Sequence, residues 1–419
     1  MRKPFLLSLA GAMLTLGFVS CSDDDDIINN ENNEGYNPGK IEMTSSQLAT
    51  VAKCNNFGFK LLGVVGNSDE FAGKNIILSP ISFNYAFSML ANGADGATRQ
   101  QITNALGYDA VSIDELNDIN KKLTHELGRL DAKVTLNFAN SAWAKSFIQV
   151  YSSFSSTLST YYAADVNKIN DDTFISDINR WCSSKTNGKI TDFMQPGQQI
   201  PDFALFNAVY FKGPWMSACK FDIKKTTIGT FNDADGNGAE AEFMNSVCAG
   251  YGKSTTMQGC DLPFGNSSFR AMFILPNEGV TISQAMENLA NGEWEQLNER
   301  HIPGAEVLLS LPKFKIESEI DFMNELAELG MPDISSVHAD YSNIAPVELN
   351  LGFVKQKATF EINEDGAEAS AVTGIGMFEA NLGTWERIEL TFNRPFIYVV
   401  HEHSTGAILF AGSINTFAK

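Results

Sequence analysis

The sequence of 419 residues has no apolar run long enough to cross a membrane and stay there. The longest, from Phe5 to Val19, falls short of the ~20 residues a bilayer core requires. It also lacks a basic surplus, since 30 Lys and Arg stand against 50 Asp and Glu and no basic cluster offsets the difference. Such a surface repels the phosphates of nucleic acid, which is therefore not an expected partner. No G-x-S-x-G, H-E-x-x-H or Walker loop occurs. Their absence removes the motif-bearing serine hydrolases, zinc proteases and nucleotide hydrolases, and no enzymatic activity is expected. Beyond residue 40 there is no Pro/Ser/Gly-rich linker, charge block or internal repeat where a domain boundary would sit. One large domain is the simpler reading of so long a chain.

Cysteine is sparse, with six in all and no C-x-x-C spacing. If Cys21 is modified, the remaining five, Cys54, Cys182, Cys219, Cys248 and Cys260, are an odd number. Buried cysteines acting as small hydrophobes are expected, not a disulfide framework or a metal site. His401-Glu402-His403 puts two imidazoles on one face of a strand, but no third ligand accompanies them, so they are expected to be exposed strand residues. The stretch from Asp233 to Gly238 begins like a calcium loop, yet Met244 stands where that loop needs a bidentate Glu. A turn between strands explains it better. No metal and no cofactor is expected.

What is present is core-forming material, with 44% hydrophobic and 11% aromatic residues. Leu48, Val51, Ala52, Phe59 and Leu62 recur at helical spacing and predict an opening helix. Thr98 and Gln101 read as a capping box, with Gly107 as the stop of a short helix. Val134, Leu136 and Phe138 alternate as a strand, and the apolar run Phe203 to Phe211 predicts a central strand covered on both faces. Further strands are expected at Phe269 to Leu275, Val307 to Leu311, Leu351 to Ile362, Phe396 to Val400 and Ala407 to Ala411. Helices lead in the first half and strands in the second, which gives a mixed α/β (α+β) class with largely antiparallel sheets.

The amino terminus reads as export machinery. Arg2 and Lys3 precede the short apolar run, the pattern of a secretory signal. Phe18-Val19-Ser20-Cys21 resembles the lipobox of bacterial lipoproteins, in which the cysteine is acylated and becomes the new amino terminus. The expected division is a signal peptide over 1–20, a lipidated flexible tether over 21–42 and a folded domain over 43–419. The acidic run after Cys21 resembles a surface-export signal. An outer-membrane lipoprotein exposed at the cell surface is expected, with a periplasm-facing one as the alternative.

The informative segment runs from Glu361 to Thr373. Val354, Gln356, Ala358, Phe360 and Ile362 alternate as one face of a strand, and after the break at Gly366 a second alternation begins. Ala367, Ala369, Ala371 and Thr373 share one face, with Glu368 and Ser370 outward on the other. The stretch suits a strand that enters a sheet, yet its Ala and Gly content gives it weak strand propensity of its own.

This segment resembles the reactive-loop hinge of the serpin family. Asn207-Ala208-Val209-Tyr210-Phe211-Lys212-Gly213-Pro214-Trp215, Ile77-Leu78-Ser79-Pro80-Ile81-Ser82, Leu311-Pro312-Lys313-Phe314 and Leu390-Thr391-Phe392-Asn393-Arg394-Pro395-Phe396 resemble other family motifs in the family's order. The likeness covers about residues 45 to 417.

It implies the serpin fold, with three mostly antiparallel sheets, about eight to nine helices and an exposed reactive loop. It also implies an inhibitor, monomeric, that traps a serine or a cysteine protease, elastase-like or subtilisin-like, as a covalent acyl complex by inserting its loop into the main sheet. The hinge would comprise Glu364, Gly366, Ala367, Ala369, Ala371 and Thr373. Glu364 would pair with Lys313 beside Trp215 where the sheet opens. Ser82, Asn207 and Gln356 would meet lower down, Gln356 standing where the family normally has histidine. Hinge length places the cleaved bond between Ala380 and Asn381, and counting back from Pro395 places it nearer Thr384, so the cut is bracketed by Glu379 and Thr384. The alternatives are a non-inhibitory binding module of the same fold on the cell surface, or a secreted enzyme, for which no catalytic constellation is present.

The lipobox reading makes one prediction. Cys21→Ala should move the protein from the membrane fraction to the soluble fraction on immunoblotting; unchanged membrane retention would count against lipidation.

Overall fold

In the computed structural model, residues 36–248, 250–299, 306–349, 351–368 and 387–417 are described. Cys21 and the expected leader, together with Ala369, Ala371, Thr373, Ala380 and Asn381, lie outside them.

The chain opens with α1 (Ser45–Asn67), β1 (Ile76–Leu78), α2 (Pro80–Gly93), α3 (Gly96–Ala105), α4 (Ile113–Glu126) and β2 (Thr135–Lys145). There follow α5 (Ser152–Tyr162), β3 (Asp165–Ile169), α6 (Phe174–Lys185), β4 (Phe203–Pro214), β5 (Thr227–Asn232), β6 (Gly238–Cys248) and β7 (Tyr251–Lys253). Next come β8 (Met257–Phe264), β9 (Phe269–Pro276), α7 (Ile282–Asn288), α8 (Trp294–Glu299), β10 (Glu306–Pro312) and β11 (Phe314–Asp321). The chain closes with β12 (Lys355–Asn363), β13 (Gly366–Ala367), β14 (Arg387–Thr391), β15 (Phe396–Glu402) and β16 (Ile408–Ile414).

These strands build three sheets. The central one runs β11-β12-β13-β4-β2-β3, a second runs β1-β16-β15-β9-β8-β7, and a four-stranded one runs β14-β10-β6-β5. All ladders are antiparallel except β2 with β3 and β10 with β14. Sheets that are mostly antiparallel and eight α-helices among the described residues agree with the expected class.

Local chemistry sets several element ends. Thr44 and Gln47 form a capping box at the start of α1, each side chain bonded to the other's backbone N–H. The box expected at Thr98 is absent, because α3 begins earlier, at Gly96 after Asp95. Thr98 lies inside the first turn, and its hydroxyl instead accepts the Asp340 N–H at 2.8 Å. Gly107 does close the element, with φ +79°. The strand expected from Leu351 begins only at Lys355. Asp233 to Gly238 is the β5–β6 turn, its Asp233 carboxylate accepting the Asp235 and Asn237 N–H groups at 3.0 and 2.8 Å. Chain turns consume that carboxylate, and among the described residues no group of three or more His, Cys, Asp or Glu is arranged to hold a metal.

The centre of the molecule is α2. Ser79 caps it, Pro80 occupies its first turn, and nearly every side chain along it is buried. A helix so enclosed must satisfy its polar groups internally. Asn84 donates to Asn120 Oδ1 at 2.9 Å and accepts from the Tyr108 hydroxyl at 2.5 Å, and Asn92 and Asn117 exchange bonds at 2.8 and 2.9 Å. The Tyr162 hydroxyl donates to Asn117 Oδ1 at 2.6 Å, and Asn140 on β2 donates to the Tyr162 carbonyl at 2.7 Å. This asparagine network ties α2 to α4, α5 and the central sheet.

A separate apolar cluster lies between α6 and that sheet, formed by Trp143, Phe174, Ile178, Cys182, Phe193 and Phe206 among others. Burial pushes the Cys182 thiol up to about 12. Cys54 on α1, also buried, is raised to about 11 for the same reason.

His401 is not exposed as expected. It is 5% exposed and faces Asp261, which also binds Arg270. Burial disfavours the Asp261 charge, but Arg270 and His401 outweigh it and hold the carboxyl far below the usual range. His403 is exposed and lies just beyond the end of β15, so the two imidazoles do not share a strand face.

The polar network supplies a stability prediction. Asn84→Ala removes the acceptor of Tyr108 and the donor to Asn120 in a site without water access, at about 1–3 kcal/mol for each orphaned group. Chemical denaturation should show a loss of that size; a change under about 0.5 kcal/mol would mean the network relaxes around the gap.

Candidate functional site

The site is the place where the central sheet is widest open. β13 is only Gly366 and Ala367, yet it is paired on both sides: Ile362↔Ala367 and Asn363↔Gly366 with β12, and Gly366↔Pro214 and Ala367↔Gly213 with β4. Beyond Ala367, no ladder among the described residues joins β12 directly to β4. Two strands of the same sense thus flank a seam whose first two positions are already filled by the segment leading into residues 369–386.

Sequence explains why the chain can enter here. Gly366 has φ +138°, and a Cβ on it would stand 2.3 Å from the Gly213 carbonyl and 2.7 Å from Pro214 Cα. Only glycine fits a backbone approach that close. Ala367 is fully buried, so a small apolar side chain completes the sheet without displacing a neighbour.

The mouth of the seam is held by charge and by an aromatic stack. Glu364 Oε1 lies 3.2 Å from Lys313 Nζ and accepts the Thr226 hydroxyl at 2.7 Å, while Lys313 also reaches Glu242 at 2.8 Å. Trp215 donates from its indole to the Asn363 carbonyl at 2.9 Å and from its backbone to the Asp365 carbonyl at 2.9 Å. Its ring stacks on Phe264 at 4.5 Å and meets Phe221 edge-on at 6.0 Å. The structure therefore brings Glu364, Lys313 and Trp215 together.

Lower in the seam the expected trio does not assemble. Gln356 Oε1 accepts the Ser79 N–H at 2.7 Å and its Nε2 donates to the Ser79 carbonyl at 3.1 Å. Ser82 is reached only through the Ser79 hydroxyl, at 2.9 Å. Asn207 instead donates to Asn140 at 2.6 Å, and its own Oδ1 is buried without a hydrogen-bond partner. The Gln356 amide is drawn to the Ser79 backbone at the start of α2, and none of its hydrogen bonds among the described residues reaches β4.

Glu368 also departs from expectation. The alternation places it outward, but its side chain is 6% exposed and its carboxylate lies 3.2 Å from Lys189 Nζ. Its φ is +50°, so the extended backbone that the alternation assumes ends one residue earlier. Sequence reasoning also missed the pins on the segment that follows α6. Lys357 on β12, 5% exposed at its side chain, holds Asp192 at 2.7 Å and Glu317 at 3.1 Å. The Lys355, Lys357 alternation with Glu317 and Glu319 along neighbouring strands was the available signal.

Burial raises the Glu364 carboxyl, but the Thr226 hydroxyl, the backbone and Lys313 outweigh it and hold the group below the usual carboxylate range. A depressed carboxylate stabilises the fold above its unfolded value of about 4.3 and loses that contribution as pH falls through the folded value. The wild type should therefore lose thermal stability below about pH 4.3 more steeply than Glu364→Gln. Parallel melting curves from pH 3 to 6 would refute this.

Residues 52–416 match the family model described as Serpin (serine protease inhibitor). Iripin-5 of Ixodes ricinus is 30% identical over 372 residues, covering 86% of this chain and 93% of its own. Among solved structures, the thermophilic serpin tengpin in its native state superposes with a TM-score of 0.81 at 29% identity, covering 91% of this chain and 97% of tengpin. Human thyroxine-binding globulin, complexed with thyroxine, superposes with a TM-score of 0.80 at 24% identity over 90% of this chain and all of its own, a likeness of fold.

Proposed function

Since this chain belongs to the serpin family, whose members are generally protease inhibitors and not enzymes, we propose that it traps a serine protease through cleavage of the segment after Glu368. The observation that carries the reading is β13, two residues of that segment already paired on both sides in the central sheet. The target's nucleophile attacks a carbonyl between Glu379 and Thr384, most simply that of Ala380, and forms an acyl ester while the chain beyond is released. The freed hinge then lengthens β13 along the seam and carries the ester-bound protease with it. A cysteine protease would form the corresponding thioester.

The chain supplies no nucleophile, base or cofactor to this reaction. Its contribution is the seam. About a dozen added strand hydrogen bonds at about 1 kcal/mol net each, with the apolar area buried alongside, amount to on the order of 10–20 kcal/mol. That free energy would be available to drive a large displacement of the bound protease. The small Ala380 suits an elastase-like pocket, and Phe378 or Met377 would serve a chymotrypsin-like or subtilisin-like one. The amino-terminal signal and lipobox support a membrane-anchored protein acting on proteases at the cell surface, or in the periplasm if it faces inward. The alternative is a non-inhibitory binding module of the same fold, a fold that human thyroxine-binding globulin shares.

Ala367→Arg tests the mechanism. A guanidinium at this fully buried position has no water and no partner, at a cost of several kcal/mol, so β13 should leave the sheet and its lengthening should slow. Incubated with elastase-like and subtilisin-like proteases, the wild type should give a covalent complex stable in denaturing gels. The variant should be cut but yield mainly cleaved, uncomplexed chain. Equal trapping by both would remove hinge insertion as the mechanism.

A further inference from the structure

β13 stops after two residues although the seam continues, and the cause lies in the next residue. In the register of β13 on β4, Glu368 would stand opposite Lys212 if the strand went on. Instead its backbone is left-handed, φ +50°, a conformation that residues with a Cβ rarely adopt. Something must hold it there. Its buried Oε2 lies 3.2 Å from Lys189 Nζ. The Tyr210 phenol on β4 lies against the same carboxylate; burial first, then the Glu368 charge, raises that phenol.

Lys189 is itself fixed. It belongs to the turn that ends α6, where Gly188 N–H bonds the Ser183 carbonyl at 2.8 Å, Lys189 N–H bonds the Thr186 carbonyl at 3.0 Å, and Asn187 and Gly188 both have positive φ. The chain just beyond is pinned to β12 by Asp192 and Lys357. The Glu368 carboxylate is thus tied to the cover of the sheet while its backbone belongs to the hinge.

We propose that Glu368, clamped by Lys189 and Tyr210 in a left-handed conformation, is a stop that limits β13 to two residues and holds the sheet in its unfilled state. This rests on the reading that β13 lengthens when the inhibitor acts. Lengthening then requires the φ of Glu368 to cross to negative values and its carboxylate to leave Lys189, so the charge pair sets a threshold for insertion.

The test is amide hydrogen exchange by mass spectrometry on the full chain, in Lys189→Glu, Glu368→Lys, the double exchange Lys189→Glu/Glu368→Lys, and the near-isosteric Glu368→Gln. Each single change should slow exchange of the β4 amides at 208–212 about fivefold or more, as the strand advances along them. The double exchange should return them to within about twofold of wild type. Unchanged exchange in the single variants, or faster exchange confined to Gly213 and Ala367, would overturn the stop and make Glu368 a simple anchor of the hinge. Glu368→Gln guards against misfolding of the charge reversals, and native-like exchange there with slow amides at 208–212 would support the stop by itself. Protease trapping by the wild type is scored separately. Coupling without trapping would sink the inhibitor reading and leave the stop, whereas trapping without coupling would sink the stop alone.

Discussion

Backbone hydrogen bonding between neighbouring strands is normally what makes a sheet a unit, and here the central sheet is divided at that level. β12 is paired with β11 and β4 with β2 along nearly all of their lengths, but among the described residues the two middle strands share only the four residue pairings of β13. Everything characteristic of the site follows from this division. Gly366 is needed because the entering backbone touches Gly213, Ala367 because the gap admits little more than a methyl group, and Trp215 because the rim must be propped where no ladder closes it. The charged groups around the mouth, Glu364, Lys313 and Glu242, span the rim between two sheets, since Glu242 belongs to β6.

The division also explains how the outer cover is attached. α6 and the chain after it lie over the central sheet through an apolar cluster that includes Phe193 and Phe206. Their ion pairs to the sheet and hinge are separate ones, Lys185 with Asp165, Lys189 with Glu368 and Asp192 with Lys357 on β12. Partly exposed pairs of this kind contribute little each. The cover is therefore held mainly by packing, with charge deciding its register, and a change at one pin is felt by the strands on both sides of the seam.

Much of this architecture was legible in the residues, and the parts that were not share a cause. The run Phe203 to Phe211 announced a strand buried on both faces, and the break at Gly366 followed by Ala367 announced the place where the chain enters the central sheet. Both are one-dimensional patterns. The capping of α3 was misplaced because Thr98, which has the right spacing to Gln101, is claimed by Asp340 more than two hundred residues away. The exposure expected of His401 failed because Asp261 and Arg270 form a buried partner that no local spacing reveals. Gln356 and Glu368 misled for a subtler reason. Alternation fixes the face of a residue only while the strand continues and says nothing about which of several polar groups an amide or carboxylate will choose.

The two deeply shielded thiols turn this arrangement into something that can be timed. Cys182 is on the buried face of α6 and Cys54 on the buried face of α1, and each is pushed far above the pH at which a thiolate forms readily. In the closed molecule both are chemically silent, so either reacts only as often as its own neighbourhood comes apart. Cys182 consequently keeps a clock for the lifting of the cover, and Cys54 keeps an independent one for the body behind it. Two ordinary core residues thereby carry separate records of opening at α6 and at α1.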